Sequence, residues 1–357
     1  MSHFQENFVA QSAAVRVRFG AGVRHSIADE VRALGCSRAL ILSTPQQADT
    51  AREFADLCGP LAVGIYTNAT MHTPVAISDE AAGYAVELGA DCVVAVGGGS
   101  TTGLGKAIAY RTDLPQIVIP TTYAGSEATP ILGQTENGRK TTLTSAKVQP
   151  EVILYDAELV RTLPVGMTVT SALNAMAHAA EGLYAQNRSP MSTLMAVEGL
   201  QAFKDALPRV IANPNDLTAR GETLYGAWLC GTVLGQVGMA LHHKLCHTLG
   251  GSFDLPHAET HAIVLAHAIG YNAAAVPDLL EPITRIFGGA SAGLAIYNFA
   301  AAMKAPLALR DLGLKESDLD RAADLATQNP YWNPRAIERP ALRQLLQAAW
   351  AGDAPAA

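Results

Sequence analysis

Four short runs rich in branched apolar residues, RALILS, LAVGIY, DCVVAV and QIVIP, lie within the first 155 or so positions of this 357-residue chain, separated by stretches of helical spacing. Parallel strands need long crossover connections and are buried on both faces, so this alternation predicts a parallel α/β sheet. Val75 to Leu88, entered through Pro74, reads as one crossover helix, and Gly103 to Tyr110 begins another. The Thr-rich segment from Ile131 to Val148 alternates around Glu136, Asn137 and Gly138, which predicts a β-hairpin beside the sheet. The strand EVILYD closes this part. Beyond Asp156 the texture changes to Ala-, Leu- and Met-rich helical periodicity, interrupted at Pro190, Pro214, Pro256, Pro277 and Pro330. The expected architecture is an α/β N-terminal domain with a parallel sheet over 1–157, and an all-α C-terminal domain over 158–357.

Composition narrows the function. With 25 Lys and Arg against 32 Asp and Glu, a net charge of −7 and no basic run, the chain offers no electrostatic footprint for nucleic acid or an anionic membrane. No segment reaches the roughly twenty apolar residues a bilayer span needs. Cys36, Cys58, Cys92, Cys230 and Cys246 are odd in number and widely spaced, as expected of reduced packing residues in a cytoplasmic protein.

Two loops at strand ends suit a dinucleotide. Gly97, Gly98, Gly99 and Ser100 follow DCVVAV and precede a helix, where bare amides and the positive helix end receive a pyrophosphate. Pro120, Thr121 and Thr122 end the next strand on the carboxyl edge, where ligands of open α/β sheets collect; local capping by the threonines is the competing reading. The first of the four runs ends at Ser43, Thr44 and Pro45 without an acid to hold a ribose 2′-hydroxyl and repel a 2′-phosphate, so either NADH or NADPH is expected to serve.

Seven of the ten histidines fall between His178 and His267. Asn174 and His178 are four apart, as are His243 and His247, so each pair shares a helix face, and His257 follows Pro256 where a helix can begin. Three imidazoles with a carboxylate make a good divalent-metal site. Here the fourth group is the amide of Asn174, and the set carries no negative charge. His242, His261 and His267 read as hydrogen-bonded core histidines, and Cys246 as packing.

The stretches FGAG, GGGSTTGLGKA, PTTYAGSEATPI, LHHKLCHTLGGSFDLPHAETHA and NPYWNPR together resemble the iron-containing (group III) alcohol dehydrogenases, whose fold is dehydroquinate synthase-like. Within that family the likeness is greatest to the maleylacetate reductases, which share Gly103 where other members carry an aspartate. The resemblance implies cofactor contacts at Gly97, Gly98, Gly99, Ser100, Thr121, Thr122 and Lys140. It places the family's metal ligands on Asn174, His178, His243 and His257 and, with asparagine replacing the family's aspartate, implies a site without metal. It further implies NAD(P)H-dependent reduction of the C=C bond of a dicarboxylate, a homodimer, and catalytic roles among His178, His243, His247 and His257, with Lys244 or Arg335 meeting the dianion. A metal-dependent dehydrogenase of alcohols or polyols, and a decayed NAD-binding protein, are the alternatives.

Overall fold

The computed structural model describes residues 5–137 and 139–355, apart from the side chains of Arg139 and Lys140. The chain divides into two compact units, one of Ser12–Leu163 and Asn215–Leu224, the other of Met1–Gln11, Pro164–Pro214 and Tyr225–Ala357.

The first unit is built on β1 (Arg16–Phe19), β2 (Ala39–Leu42), β3 (Ala62–Tyr66), β4 (Cys92–Gly97), β5 (Gln116–Pro120), β6 (Ile131–Glu136), β7 (Arg139–Thr144) and β8 (Val152–Tyr155), with helices α1 (Ile27–Ala33), α2 (Ala48–Cys58), α3 (Val75–Glu87) and α4 (Gly99–Thr112). Six strands pair in parallel in the order β1-β8-β5-β4-β2-β3, and β6 and β7 form the separate antiparallel hairpin that the Thr-rich segment predicts. The period of two along each strand feeds both faces. Val94, Val96, Ile117 and Ile119 join Phe54 of α2 and Val31 of α1 on one side, while Val93, Ala95 and Val118 meet Leu104 and Ile108 of α4 on the other. From β2 the chain steps out to β3 and returns on the opposite side as β4, so the topological switch point lies between the carboxyl ends of β2 and β4, where open sheets bind ligands. The loops there are Ser43–Thr44 and Gly97–Gly99.

The second unit is helical: α5 (Val165–Gly182), α6 (Pro190–Ala212), α7 (Leu217–Gln236, whose first turns belong to the sheet unit), α8 (Leu241–Phe253), α9 (His257–Ala273), α10 (Pro277–Phe287), α11 (Ala292–Ala302), α12 (Leu319–Thr327) and α13 (Arg339–Ala351). Pro190 and Pro277 open their helices and Pro256 precedes α9, positions where the missing N–H costs nothing. α5 is buried on nearly every side, packing on α6 and α9, and its Ala-rich sequence allows that close approach. Where α9 and α11 cross, a Cβ on Gly293 would lie 2.6 Å from Gly270 Cα, so glycine is required at the contact. Among the described residues no single helix is long and apolar enough to cross a membrane.

Candidate active site and relatives

Helix α5 carries Asn174, His178 and Glu181 into a packed interior, where polar groups are costly unless partnered. Their spacings of four and three put all three on one face. Glu181, fully buried, accepts from the backbone N–H of Ala240 at 2.9 Å and of His242 at 2.7 Å, tying α5 to the start of α8. Its Oε2 lies 2.7 Å from His243 Nδ1, which turns His243 Nε2 toward the other rings.

His243 is the centre of the cluster. Its ring stacks on His178 at 5.2 Å, and lies 6.1 Å from His247 and 5.2 Å from His261. His257, exposed at the first turn of α9, is 4.3 Å from His261. Burial, reinforced by His243 and His257, holds the His178 ring well below the ordinary histidine value, so it is neutral and keeps a lone pair. His242 and His261, also held neutral chiefly by burial, hydrogen-bond each other at 2.9 Å, as expected of core histidines. Cys246 is buried 3.6 Å from His242 Nε2.

The stretch NPYWNPR supplies partners that sequence reasoning missed. Tyr331 OH lies 2.8 Å from His247 Nδ1, and Lys244 sits 5.9 Å from the Tyr331 ring centre. Asn333 exchanges two hydrogen bonds with Asn272 of α9 and accepts from Leu241 N at the head of α8. Arg335 has a different setting from the histidines: it donates to Tyr271 O at 2.9 Å and lies 4.1 Å over that ring.

In the sheet unit, α4 begins at Gly99, four residues before the expected start at Gly103, so Gly97 ends β4, Gly98 caps the helix and Gly99 is its first residue. A Cβ on Gly97 would lie 2.4 Å from Thr101 Oγ1 and one on Gly98 2.9 Å from Thr122 Cγ2, whereas nothing stands within 4 Å of such an atom on Gly99. The first N–H groups of a helix suit a pyrophosphate, and Gly99, with open space at its Cβ position, and Ser100 lie in that first turn. Thr121 N bonds Gly97 O at 3.0 Å and its hydroxyl accepts from Gln47 at 3.1 Å, which binds the two loops together. Lys106, pushed down to about 7 by burial, ties α4 to the next loop through the carbonyls of Ser126, Thr129 and Ile131. Ser43, expected among the cofactor contacts, directly follows β2 in a buried position and its hydroxyl donates to Thr44 O at 3.0 Å. The side chain of Lys140 lies outside the described residues.

Two family models match this sequence, Iron-containing alcohol dehydrogenase over residues 14–157 and Fe-containing alcohol dehydrogenase family, C-terminal, over residues 168–350. The chain belongs to the iron-containing alcohol dehydrogenase family. It is 60% identical to the maleylacetate reductase of Rhizobium sp. strain MTP-10005, over 98% of this chain and 99% of that protein. It is 51% identical to the maleylacetate reductase of Burkholderia cepacia, over 98% and 99%. The crystal structure of maleylacetate reductase from Agrobacterium tumefaciens superimposes with a TM-score of 0.96 at 58% identity, covering 98% of this chain and all of that one.

Membership corrects one expectation. A site without metal was inferred from the neutral amide of Asn174, but the family is one of iron-containing enzymes, which implies a bound metal. The donor atoms fit it. Asn174 Oδ1, His178 Nδ1 and His243 Nε2 are all buried and have no hydrogen-bond partner, a costly condition that a cation would relieve. His242, Cys246 and His261 form a further buried group with ligand atoms within 4.8 Å of one another. The sequence argument failed because it counted charge only among the direct ligands, whereas Glu181 stands behind His243 and supplies an acidic group at second hand.

Proposed function

We propose that this protein is a maleylacetate reductase, using NADH or NADPH to reduce the C=C bond of maleylacetate to 3-oxoadipate in the degradation of aromatic compounds. The observation that carries the reading is the full-length likeness to maleylacetate reductases at up to 60% identity. A cytoplasmic homodimer is part of the proposal; the five buried free thiols accord with a reducing compartment.

The reaction adds one hydride from the reduced nicotinamide and one proton across a double bond conjugated to a ketone. Hydride arrival at the carbon remote from the ketone moves the π electrons onto the ketone oxygen, giving an enolate, and protonation of the carbon beside the ketone restores the carbonyl. Asn174, His178, His243 and His257 would hold the metal, which when bound supplies Lewis acidity toward the ketone oxygen. Glu181 fixes the orientation of His243. His247, held through Nδ1 by Tyr331 and less buried than His243, serves to pass the proton. Lys244, which follows His243 in α8 and is half-buried, offers the cation for a substrate carboxylate. The junction of β4 with α4 at Gly97–Ser100, with Thr121 and Thr122, takes the cofactor.

The test is NADH oxidation by the purified, metal-loaded protein with maleylacetate, with 3-oxoadipate identified as product by mass spectrometry. Rapid stoichiometric conversion is expected. Negligible turnover of maleylacetate beside ready oxidation of a small alcohol or polyol would replace this reading with that of an alcohol dehydrogenase.

A further inference from the structure

A cavity of about 710 Å³ lies in the helical unit, lined by α9, α10, the start of α11, α13 and Arg335; none of the four candidate catalytic histidines is among its walls. That volume falls within the range of small-molecule sites, roughly 300 to 1,000 Å³. Its walls include Tyr271, Leu280 and Leu345, all buried, and the single buried polar side chain among them is His267. His267 is 3% exposed and its Nε2 has no hydrogen-bond partner. A buried ring nitrogen without a partner is uncommon in a folded protein, and a hydroxyl reaching it from the cavity would satisfy it. Burial pushes this ring down to about 4, so it is neutral at physiological pH and meets a hydroxyl rather than an ion.

The charges around the cavity are of both signs. Glu281 pairs with Arg285 at 3.5 Å, Asp278 is exposed, and the Arg335 guanidinium is engaged by the ring and carbonyl of Tyr271. Asp353 also acts on the His267 ring, so acids and Arg335 both border the cavity and no single sign of charge prevails, whereas Tyr271, Leu280 and Leu345 offer apolar surface to an uncharged molecule. The same wall leads to the histidine cluster along one short segment. Arg335 lines the cavity, Asn333 holds Asn272 and the head of α8, and Tyr331 holds His247.

We propose that this cavity is an effector site for a small uncharged hydroxylated aromatic molecule, with His267 as its hydrogen-bond partner, and that occupancy reaches His247 through residues 331–335. The binding half stands apart from the assigned reaction; the significance of the coupling for turnover rests on it.

The test titrates the full-length, metal-loaded protein with 2-naphthol by calorimetry, with 2-naphthoate as the charged counterpart. Saturable one-to-one binding of 2-naphthol is expected, retained in the presence of saturating NADH and at least tenfold tighter than binding of 2-naphthoate. His267→Leu removes the partner without leaving a polar atom, and Ala274→Trp fills the cavity from its exposed rim; each should weaken binding at least tenfold. Absence of saturable binding, its abolition by saturating NADH, or unchanged affinity in both variants would overturn the site. Coupling is read independently of turnover by nitrogen NMR of His247, whose signal should move on 2-naphthol binding in the wild type and stay still in Tyr331→Phe. A His247 signal indifferent to bound 2-naphthol would overturn the coupling and leave the proposed reaction untouched.

Discussion

Glu181 and His243 stand 2.7 Å apart on two different helices, and the carboxyl group that orients the imidazole is itself fixed by the backbone N–H groups of Ala240 and His242. This arrangement makes the junction of α5 with α8 part of the candidate site. Glu181→Gln keeps the shape but changes what Nδ1 of His243 meets. Partners of this kind are worth about 10- to 100-fold in metal affinity or activity. Both kcat and metal content after dialysis should fall by a factor in that range, with cofactor KM little changed. Wild-type kcat at full metal occupancy would show that the contact is structural only.

Asn174 is the neutral member of the proposed ligand set, and its Oδ1 is buried without a partner. Asn174→Asp places a full negative charge there. Even at an effective dielectric near 20, attraction between unit charges a few ångströms apart amounts to about 4 kcal/mol, so tenfold tighter metal retention is a conservative expectation. Competition with a graded series of chelators, read by metal analysis, checks it. Loss of metal from both proteins at the same chelator strength would mean that position 174 does not face the cation.

These two residues also show what the sequence carries and what it withholds. Asn174 with His178, and His243 with His247, are legible because a spacing of four on a helix is a geometric statement. Glu181 lies three residues beyond His178 on the same face, a signal available in the sequence but masked because a lone glutamate usually belongs to a solvated surface. Tyr331 was out of reach: it meets His247 from 84 residues away, and no local pattern encodes that encounter. In the sheet, β2 to β5 were readable from their unbroken apolar runs. The first strand, RVRF at the edge beside β8, was not, because two of its four residues are arginines. The helix after the glycines starts earlier than expected because glycine's low helix propensity hides a turn stabilised by its place at a strand end.

Gly99 separates folding from cofactor binding. No atom stands within 4 Å of where its Cβ would be, so Gly99→Ala should fold with an unchanged or higher Tm, since alanine is the better helix former. The added methyl group occupies space assigned to the pyrophosphate, and the Kd for NADH should rise at least tenfold. The same titrations with NADPH bear on the loop after β2, where no acid follows Leu42. The two cofactors should differ by much less than a thousandfold in kcat/KM. An unaltered Kd in the variant would move the cofactor away from α4.

His267 ties acid stability to the cavity of the helical unit. Its folded-state value, lowered by burial to about 4, lies below the ordinary 6.5, so between these values the unfolded chain binds the proton and the folded chain does not. Stability is therefore lost as pH falls from about 6.5 toward 4, by about 3 kcal/mol when the window has been crossed. His178, His242 and His261, also lowered by burial, act in the same direction. His267→Leu removes one share of the dependence and one unpaired nitrogen. Denaturant unfolding at several pH values should show the variant at least as stable as the wild type near neutrality, with a difference in its favour that widens toward pH 4. Parallel curves for the two proteins across that range would show that His267 takes up its proton in the folded protein as readily as in the unfolded chain, and would remove the case for a neutral ring in the cavity wall.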